Sequence, residues 1–153
     1  MRLYLVQHAK AIAAELDPAR PLSREGHSEM QQMAFWFKKQ QLPLSAIWHS
    51  PLLRAKQSAE LVARTLEDPS LLKEVNGLKP NEPVQTLAQH LAKLSEPVML
   101  IGHMPSLASL CGMLLTGNEG LKPVAFYNAG IVCLKREDRT WQVLWSILPG
   151  LLS

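Results

Sequence analysis

Short apolar runs alternate along this chain with longer segments in which apolar residues recur every three or four positions. Residues 2–6 and 97–102 are dense apolar runs of strand length, whereas residues 24–41 have the spacing of one helix face. Two more apolar runs, residues 130–135 and 140–145, follow each other across a short polar turn. This order predicts an α/β fold: a three-layer α/β/α sandwich with a mixed, mainly parallel sheet and an antiparallel edge.

The remaining segments fit the same alternation. In chain order they are a strand at residues 45–49, a helix from Ser50 onward, an edge strand within residues 71–78, and helices over residues 83–94 and 107–114. Ser50 is expected to cap the second helix, because serine accepts hydrogen bonds from free N–H groups and Pro51 suits the first helical position. Residues 7–23 lack a period, which predicts a loop with one helical turn inside residues 9–16.

The length and composition limit the class of protein. A chain of 153 residues, 47% of them hydrophobic, predicts one domain over residues 1–153. The net charge is only +3 and no run of four basic residues occurs, so a nucleic-acid partner is not expected. No apolar run approaches the roughly 18 residues of a membrane span. The N-terminus lacks the features of a signal peptide, which predicts a cytoplasmic location, and Cys111 and Cys133 are expected to be reduced core thiols.

Three polar residues stand where ligands collect in such folds, at the carboxyl ends of strands. His8 follows the first strand, Arg54 lies early in the second helix, and His103 comes directly after residues 98–102. Helix starts at this edge offer N–H groups to a phosphate or carboxylate. No glycine-rich phosphate loop, HExxH metal pattern or GxSxG nucleophile motif is present. Histidine is therefore the best candidate for covalent chemistry on an oxyanion.

Three segments carry a resemblance to a known family. They are Val-Gln-His-Ala-Lys at residues 6–10, Ser-Pro-Leu-Leu-Arg-Ala-Lys-Gln-Ser at residues 50–58 and Gly-His-Met-Pro at residues 102–105. They resemble the Arg-His-Gly signature, the Ser-Pro-x-x-Arg-Ala-x-Gln-Thr element and the second histidine motif of the histidine phosphatase superfamily. With its short length and residues 20–26, the chain is most similar to the small bacterial phosphohistidine phosphatases. The resemblance implies a phosphoglycerate mutase-like fold.

The resemblance also implies a reaction in two steps. His8 would attack the phosphoryl group and form a phosphohistidine, which water then hydrolyses. Arg54 and His103 would hold the phosphoryl oxygens, with His103 protonated so that activity declines as it loses its proton. No metal and no other cofactor is implied, because cations of the protein would neutralise the phosphoryl charge.

The first motif departs from the family pattern. Gln7 stands where the signature has arginine, and Ala9 where it has glycine. A charged hydrogen bond contributes roughly 1.5–3 kcal/mol against about 1 for a neutral one, so the loss predicts a catalytic penalty of about one to two orders of magnitude. Lys10 or Arg20, on the adjoining loop, would offset this penalty.

The identity of the substrate depends on the leaving group. An alkyl phosphate needs an acid to protonate the departing oxygen, whereas phosphohistidine has a better leaving group. Glu82 is the only carboxylate in residues 78–83, and we interpret it as a solvated residue at a helix start rather than as that acid. This favours a phosphorylated protein, such as a phosphocarrier or a histidine kinase phosphotransfer domain, over a small phosphorylated compound. Asn128 is expected to border the pocket and to bind substrate together with Gln7, Lys10 and Arg20.

Two alternatives stay open. The chain is either an active phosphohistidine phosphatase or a phosphate-binding protein that kept the pocket and lost turnover, since Gln7 removes a charge. A phosphomonoesterase for small molecules is a further alternative.

Overall fold

The protein, as a computed structural model, is described over residues 1–152. The strands of its sheet are β1 (Arg2–Gln7), β2 (Ala46–His49), β3 (Leu72–Glu74), β4 (Val98–Gly102), β5 (Ile131–Glu137) and β6 (Thr140–Ile147). The helices are α1 (Arg24–Lys39), α2 (Leu53–Thr65), α3 (Gln85–Lys93) and α4 (Ser106–Thr116), with short 3-10 helices at Pro69–Leu71 and Pro149–Leu151. The predicted alternation of strands and helices is confirmed.

The six strands form one sheet in the order β3-β2-β4-β1-β5-β6. Neighbouring strands from β3 to β1 run parallel, and β5 pairs antiparallel with both β1 and β6. The predicted mixed, mainly parallel sheet with an antiparallel edge is therefore correct.

Helices cover both faces of the sheet. Tyr4 and Val6 of β1 pack in one core with residues of α1 and α2. Leu3 and Leu5 point to the opposite face, because side chains alternate along a strand, and pack in a second core with residues of α3 and α4. Burial on both faces explains why β1 and β4 are almost entirely apolar. The result is the expected three-layer α/β/α sandwich.

Two local predictions have different outcomes: the cap at Ser50 was wrong, and the single helical turn in the first loop is present. Ser50 does not cap α2, which begins at Leu53; the Ser50 hydroxyl instead accepts a hydrogen bond from the backbone N–H of Leu52 at 3.1 Å, in the turn before the helix. The helical turn predicted within residues 9–16 is a single turn at residues 14–16, in which the Leu16 and Asp17 N–H groups donate to the Ala13 carbonyl at 3.0 and 3.1 Å. An antiparallel bridge between Ala11 and Leu22 closes this loop.

Other local features agree with the sequence. Cys111 and Cys133 are buried and free of disulfides, and burial raises the pKa of each thiol to about 11. Within residues 1–152, no helix has both the length and the apolar character needed to cross a membrane.

Candidate active site

The ends of β1 and β4 bring two histidines together. Gln7 pairs with Gly102 in the parallel ladder, and the His8 N–H donates to the Gly102 carbonyl at 3.1 Å. The next residue after each strand is therefore a histidine, and the His8 and His103 ring centroids lie 5.0 Å apart with planes tilted by 55°. His8 is 8% exposed and His103 is 1% exposed. His8 and His103 are 95 positions apart in the sequence, and the structure brings their rings next to each other, as predicted.

The His8 ring is held by the backbone carbonyl of the next residue, Ala9. Its Nδ1 lies 2.7 Å from the Ala9 carbonyl oxygen, so the neutral ring carries its proton on Nδ1 and keeps a lone pair on Nε2. Burial, together with the charges of Arg54 and Arg20, lowers the pKa of His8 to about 4, although the hydrogen bond to Ala9 opposes this shift. Near neutral pH, His8 is therefore uncharged with Nε2 available as a nucleophile.

His103 is neutral as well, which corrects the expectation of a protonated ring. Burial, together with the charges of His8, Arg54 and Arg20, lowers its pKa to about 3. Its Nε2 lies 2.8 Å from the Ser50 hydroxyl, which already accepts a hydrogen bond from Leu52. The hydroxyl proton is thus free to be donated to Nε2, which leaves the ring proton on Nδ1. That Nδ1 is buried and has no partner within residues 1–152, so it is available to donate to an oxyanion.

Arg54 occupies the first turn of α2 and brings positive charge to the histidines. Its Nε is buried without a hydrogen-bond partner in the described chain. Burial lowers the pKa of Arg54, as does the charge of Arg20, and neither arginine forms a salt bridge among residues 1–152. Two guanidinium charges without a carboxylate partner make the site attractive to an anion.

Arg20, and not Lys10, brings its charge to this site. Arg20 has a left-handed backbone (φ 49°), and its Nε donates to the Ile12 carbonyl at 3.1 Å. Its charge lowers the pKa of His8, His103 and Arg54. Lys10 Nζ instead lies 2.7 Å from Glu25 and 3.7 Å from Glu29. The expectation that Lys10 offsets the missing arginine is not supported, because these carboxylates already neutralise its charge.

Gln7 and Asn128 meet at the end of β1. They form an isolated bridge, and Asn128 Nδ2 donates to the His8 carbonyl at 2.9 Å. The Ala129 N–H donates to the Gln7 carbonyl at 2.9 Å, from a left-handed backbone with φ 61°. Asn128 therefore holds the backbone of His8, while the Gln7 side chain has no hydrogen bond within residues 1–152.

Sequence reasoning missed the polar residues that join these parts. Ser58 is fully buried, and its hydroxyl accepts a hydrogen bond from the Ala9 N–H at 3.0 Å and donates to the Arg54 carbonyl at 2.8 Å. The Gln57 side-chain oxygen accepts from the Leu22 N–H at 2.7 Å and ties the loop of Arg20 to α2. The spacing of the motif could have indicated these two residues. Gln57 and Ser58 lie three and four positions after Arg54, which places them on the same side of the helix.

Glu82 has a local structural task. Its carboxylate accepts hydrogen bonds from the backbone N–H groups of Gly77 at 2.9 Å and Lys79 at 3.0 Å. It is thus not simply solvated, because both oxygens accept hydrogen bonds that shape the loop. Among residues 1–152 no group of three or more His, Cys, Asp or Glu side chains is placed to hold a metal ion.

Comparisons with known proteins find similar sequences. The model of the histidine phosphatase superfamily (branch 1) matches residues 3–79. The phosphohistidine phosphatase SixA of Escherichia coli (strain K12) is 31% identical over 143 residues, which cover 90% of this chain and 87% of that relative.

Solved structures show the same similarity. The protein histidine phosphatase SixA complexed with tungstate matches with a TM-score of 0.89 and 28% identity, and all of both chains is covered. The alpha-ribazole phosphatase from Shigella flexneri shares the fold, with a TM-score of 0.74 and 15% identity over 94% of each chain.

Proposed function

Because the chain belongs to the histidine phosphatase superfamily, we propose that it is a protein phosphohistidine phosphatase that acts through a covalent phosphohistidine on His8. The observation that carries this proposal is the neutral His8 ring, whose Nδ1 donates to the Ala9 carbonyl, next to two arginines that have no carboxylate partner among residues 1–152. A nucleophile with a free lone pair and nearby cations are the two requirements for attack on a phosphoryl group. The similarity to a SixA structure complexed with tungstate, a tetrahedral oxyanion like phosphate, gives further support.

In the first step, His8 Nε2 attacks phosphorus. A bond forms between Nε2 and phosphorus, and the bond between phosphorus and the substrate nitrogen breaks with its electron pair staying on that nitrogen. The substrate ring carries a proton on its other nitrogen, so it leaves as neutral imidazole. The His8 ring becomes an imidazolium that keeps its Nδ1 proton on the Ala9 carbonyl. Arg54 neutralises charge on the phosphoryl oxygens, and the free Nδ1–H of His103 donates to one of them.

In the second step, water attacks the phosphohistidine. The bond from water oxygen to phosphorus forms, the bond to Nε2 breaks, and inorganic phosphate leaves with the protons of the water. His8 returns to its neutral form because the ring was an imidazolium before the bond broke. Positive charge from Arg20 takes the place that the family signature gives to arginine at position 7, so turnover survives the presence of Gln7. The charge thus comes from side chains of the protein, and the proposed reaction uses no metal.

The chemistry of the site favours an activated phosphate. An alkyl phosphate needs an acid at the leaving oxygen, and the Glu82 carboxylate is engaged by Gly77 and Lys79. Phosphohistidine has no such need, and a phosphocarrier or a phosphotransfer domain of a histidine kinase is the substrate class that presents it. Such partners place the protein in signal transduction in the cytoplasm.

The decisive experiment compares wild type with His8→Ala on phosphoramidate and on p-nitrophenyl phosphate. We expect wild type to hydrolyse phosphoramidate faster than p-nitrophenyl phosphate. The His8→Ala variant should lose at least about a thousandfold in kcat/KM. Acid-labile, base-stable phosphate should accumulate on wild type after rapid quenching and be absent from His8→Ala. Equal rates for the two proteins would refute the nucleophile, and binding without turnover in both would indicate a phosphate-binding protein. Faster turnover of a sugar phosphate, lost in Glu82→Gln, would indicate a phosphomonoesterase.

A further inference from the structure

A groove with a mixed polar and apolar lining begins two residues after His103 in the chain. Its volume is about 750 Å³, and it lies between the start of α3, the first half of α4 and the loop after α4. Its nearest lining residues, Pro105 and Ser106, follow His103 closely in the chain, and the Ser106 hydroxyl donates to the His103 carbonyl at 3.0 Å. We call this space the α3–α4 groove. Its near end therefore lies two residues along the chain from His103, at the start of α4.

The walls of the α3–α4 groove are held in place by the fold. Pro80 and Pro83 line one side, and their fixed backbone φ angles limit how far that wall can move. The Glu82 hydrogen bonds to Gly77 and Lys79 hold the same loop. At the far end, Gln85 Nε2 donates to Glu119 Oε2 at 3.0 Å, which joins the start of α3 to the loop after α4. A preformed groove binds an extended ligand at a lower entropic cost.

The chemistry of the lining suits a polypeptide. Ser106 and Ser109 present small polar side chains on the α4 side, and Glu119 and Lys122 bring one charge of each sign to the far end. Among residues 1–152 no side chain caps α3 or α4; the Leu107 N–H donates to the His103 carbonyl at 3.0 Å, and the N–H groups of Gln85 and Ser106 begin the two helices at the groove. An extended main chain offers the matching carbonyl acceptors. A single phosphoryl group occupies only a small part of 750 Å³, which lies within the range of pockets for much larger ligands.

We infer that the α3–α4 groove binds the extended polypeptide segment that flanks the phosphohistidine of a protein substrate. This inference rests on the proposed function, because the phosphorylated side chain must reach His8 for its neighbours to lie in the groove. The groove would raise kcat/KM for a phosphorylated polypeptide over that for a small phosphoramidate with the same bond to break.

The test uses two substrates with the same scissile bond and three variants. The substrates are phosphoramidate and a synthetic peptide whose single phosphohistidine is flanked by alanine and serine residues. Ser109→Trp and Lys122→Trp place a large ring in the groove from opposite walls. Gln31→Trp is the matched control, because this exposed residue lies on α1 at the other face of the sheet.

We expect wild type to prefer the peptide. Ser109→Trp and Lys122→Trp should lower kcat/KM for the peptide about tenfold, mainly by raising KM, and leave phosphoramidate hydrolysis within about twofold. Gln31→Trp should change neither rate. Peptide hydrolysis that both groove variants leave unchanged, or an equal loss on both substrates, would overturn the inference. If Ser109→Trp does not fold, the exposed Lys122→Trp decides alone.

Failure of the proposed function gives a different result. Wild type would then hydrolyse neither substrate, and the groove would be tested by fluorescence anisotropy with the labelled, phosphorylated peptide. Weaker binding to Lys122→Trp than to Gln31→Trp would support the groove without turnover. Equal binding to both would refute it.

Discussion

The hydroxyl of Ser58 lies 3.0 Å from the backbone nitrogen of Ala9, 49 residues earlier in the chain. The same hydroxyl donates to the Arg54 carbonyl one helical turn back at 2.8 Å. A single buried side chain therefore connects the backbone beside His8 to the helix turn that carries Arg54. The relative placement of nucleophile and cation depends on this connection, and catalysis is sensitive to such placement.

Ser58→Ala is expected to lower both stability and activity. The Ala9 N–H would lose its acceptor in a fully buried location, which costs about 1–3 kcal/mol. We expect urea denaturation to show a loss of that size, and kcat/KM for phosphoramidate to fall about tenfold or more as His8 and Arg54 lose their fixed spacing. Ser58→Thr keeps the hydroxyl and is the control that should retain activity. Full activity in Ser58→Ala would contradict a positioning role.

Gly26→Ala is expected to destabilise the start of α1. A Cβ at Gly26 would lie 2.1 Å from the Lys10 carbonyl oxygen, which also accepts hydrogen bonds from Ser23. The helix and the loop must move apart, at a cost of about 1–3 kcal/mol or more. Gly150→Ala is the matched control, since no heavy atom of residues 1–152 lies within 4 Å of the Cβ it would add. The free energies of unfolding of the two variants, measured by chemical denaturation, should differ by this amount. Equal values would show that the loop moves away from the added Cβ at no cost.

Apolar patterning made the fold predictable. β1 and β4 are buried on both faces, so their sequences are apolar runs that no exposed segment would have. The positions of His8 and His103 followed, because parallel neighbouring strands end at one edge of the sheet. The motif around Arg54 added the third residue.

Long-range partners were not predictable from local rules. Ser50 has the local signature of a helix cap, yet its hydroxyl contacts His103, 53 residues away. Lys10 and Arg20 are equivalent in charge, and only the path of the loop decides that Lys10 meets Glu25. The left-handed backbone of Arg20 carried no signal, because that conformation is typical of glycine. The neutral state of His103 follows from burial, which a sequence does not display.

Arg20 and Gln7 are expected to be coupled. If the charge of Arg20 offsets the missing arginine, Arg20→Gln should lower kcat/KM about 10- to 100-fold, because a charged interaction of about 1.5–3 kcal/mol is lost. Gln7→Arg should raise the rate less than about tenfold in wild type and more in the Arg20→Gln background. Steady-state kinetics of the four proteins measures the coupling. Additive effects of the two substitutions, or a slower Gln7→Arg enzyme, would contradict compensation.

The activity is expected to persist in acid. Attack requires neutral His8, whose pKa is about 4 instead of 6.5, so the acid limb of kcat/KM for phosphoramidate should lie near pH 4. Arg20→Gln should move this limb to higher pH, because the Arg20 charge lowers the pKa of His8. His27→Gln, at an exposed position on α1, is the control that should leave the limb in place. A wild-type limb near pH 6.5 would mean that His8 is not desolvated in the free enzyme.

The same histidines are expected to make folding sensitive to acid. The pKa of His8 is about 4 and that of His103 about 3, both below the ordinary value of 6.5. Between these lowered pKa values and pH 6.5, the unfolded chain therefore binds more protons than the folded one. Stability from these groups is fully present above pH 6.5 and is lost as the pH falls towards 4 and then 3. The free energy of unfolding, measured in urea across this range, should therefore fall with pH more steeply in wild type than in His103→Gln, which lacks one of the two groups. His27→Gln should keep the wild-type slope, and an equal slope in His103→Gln would show that His103 is not held neutral by the fold.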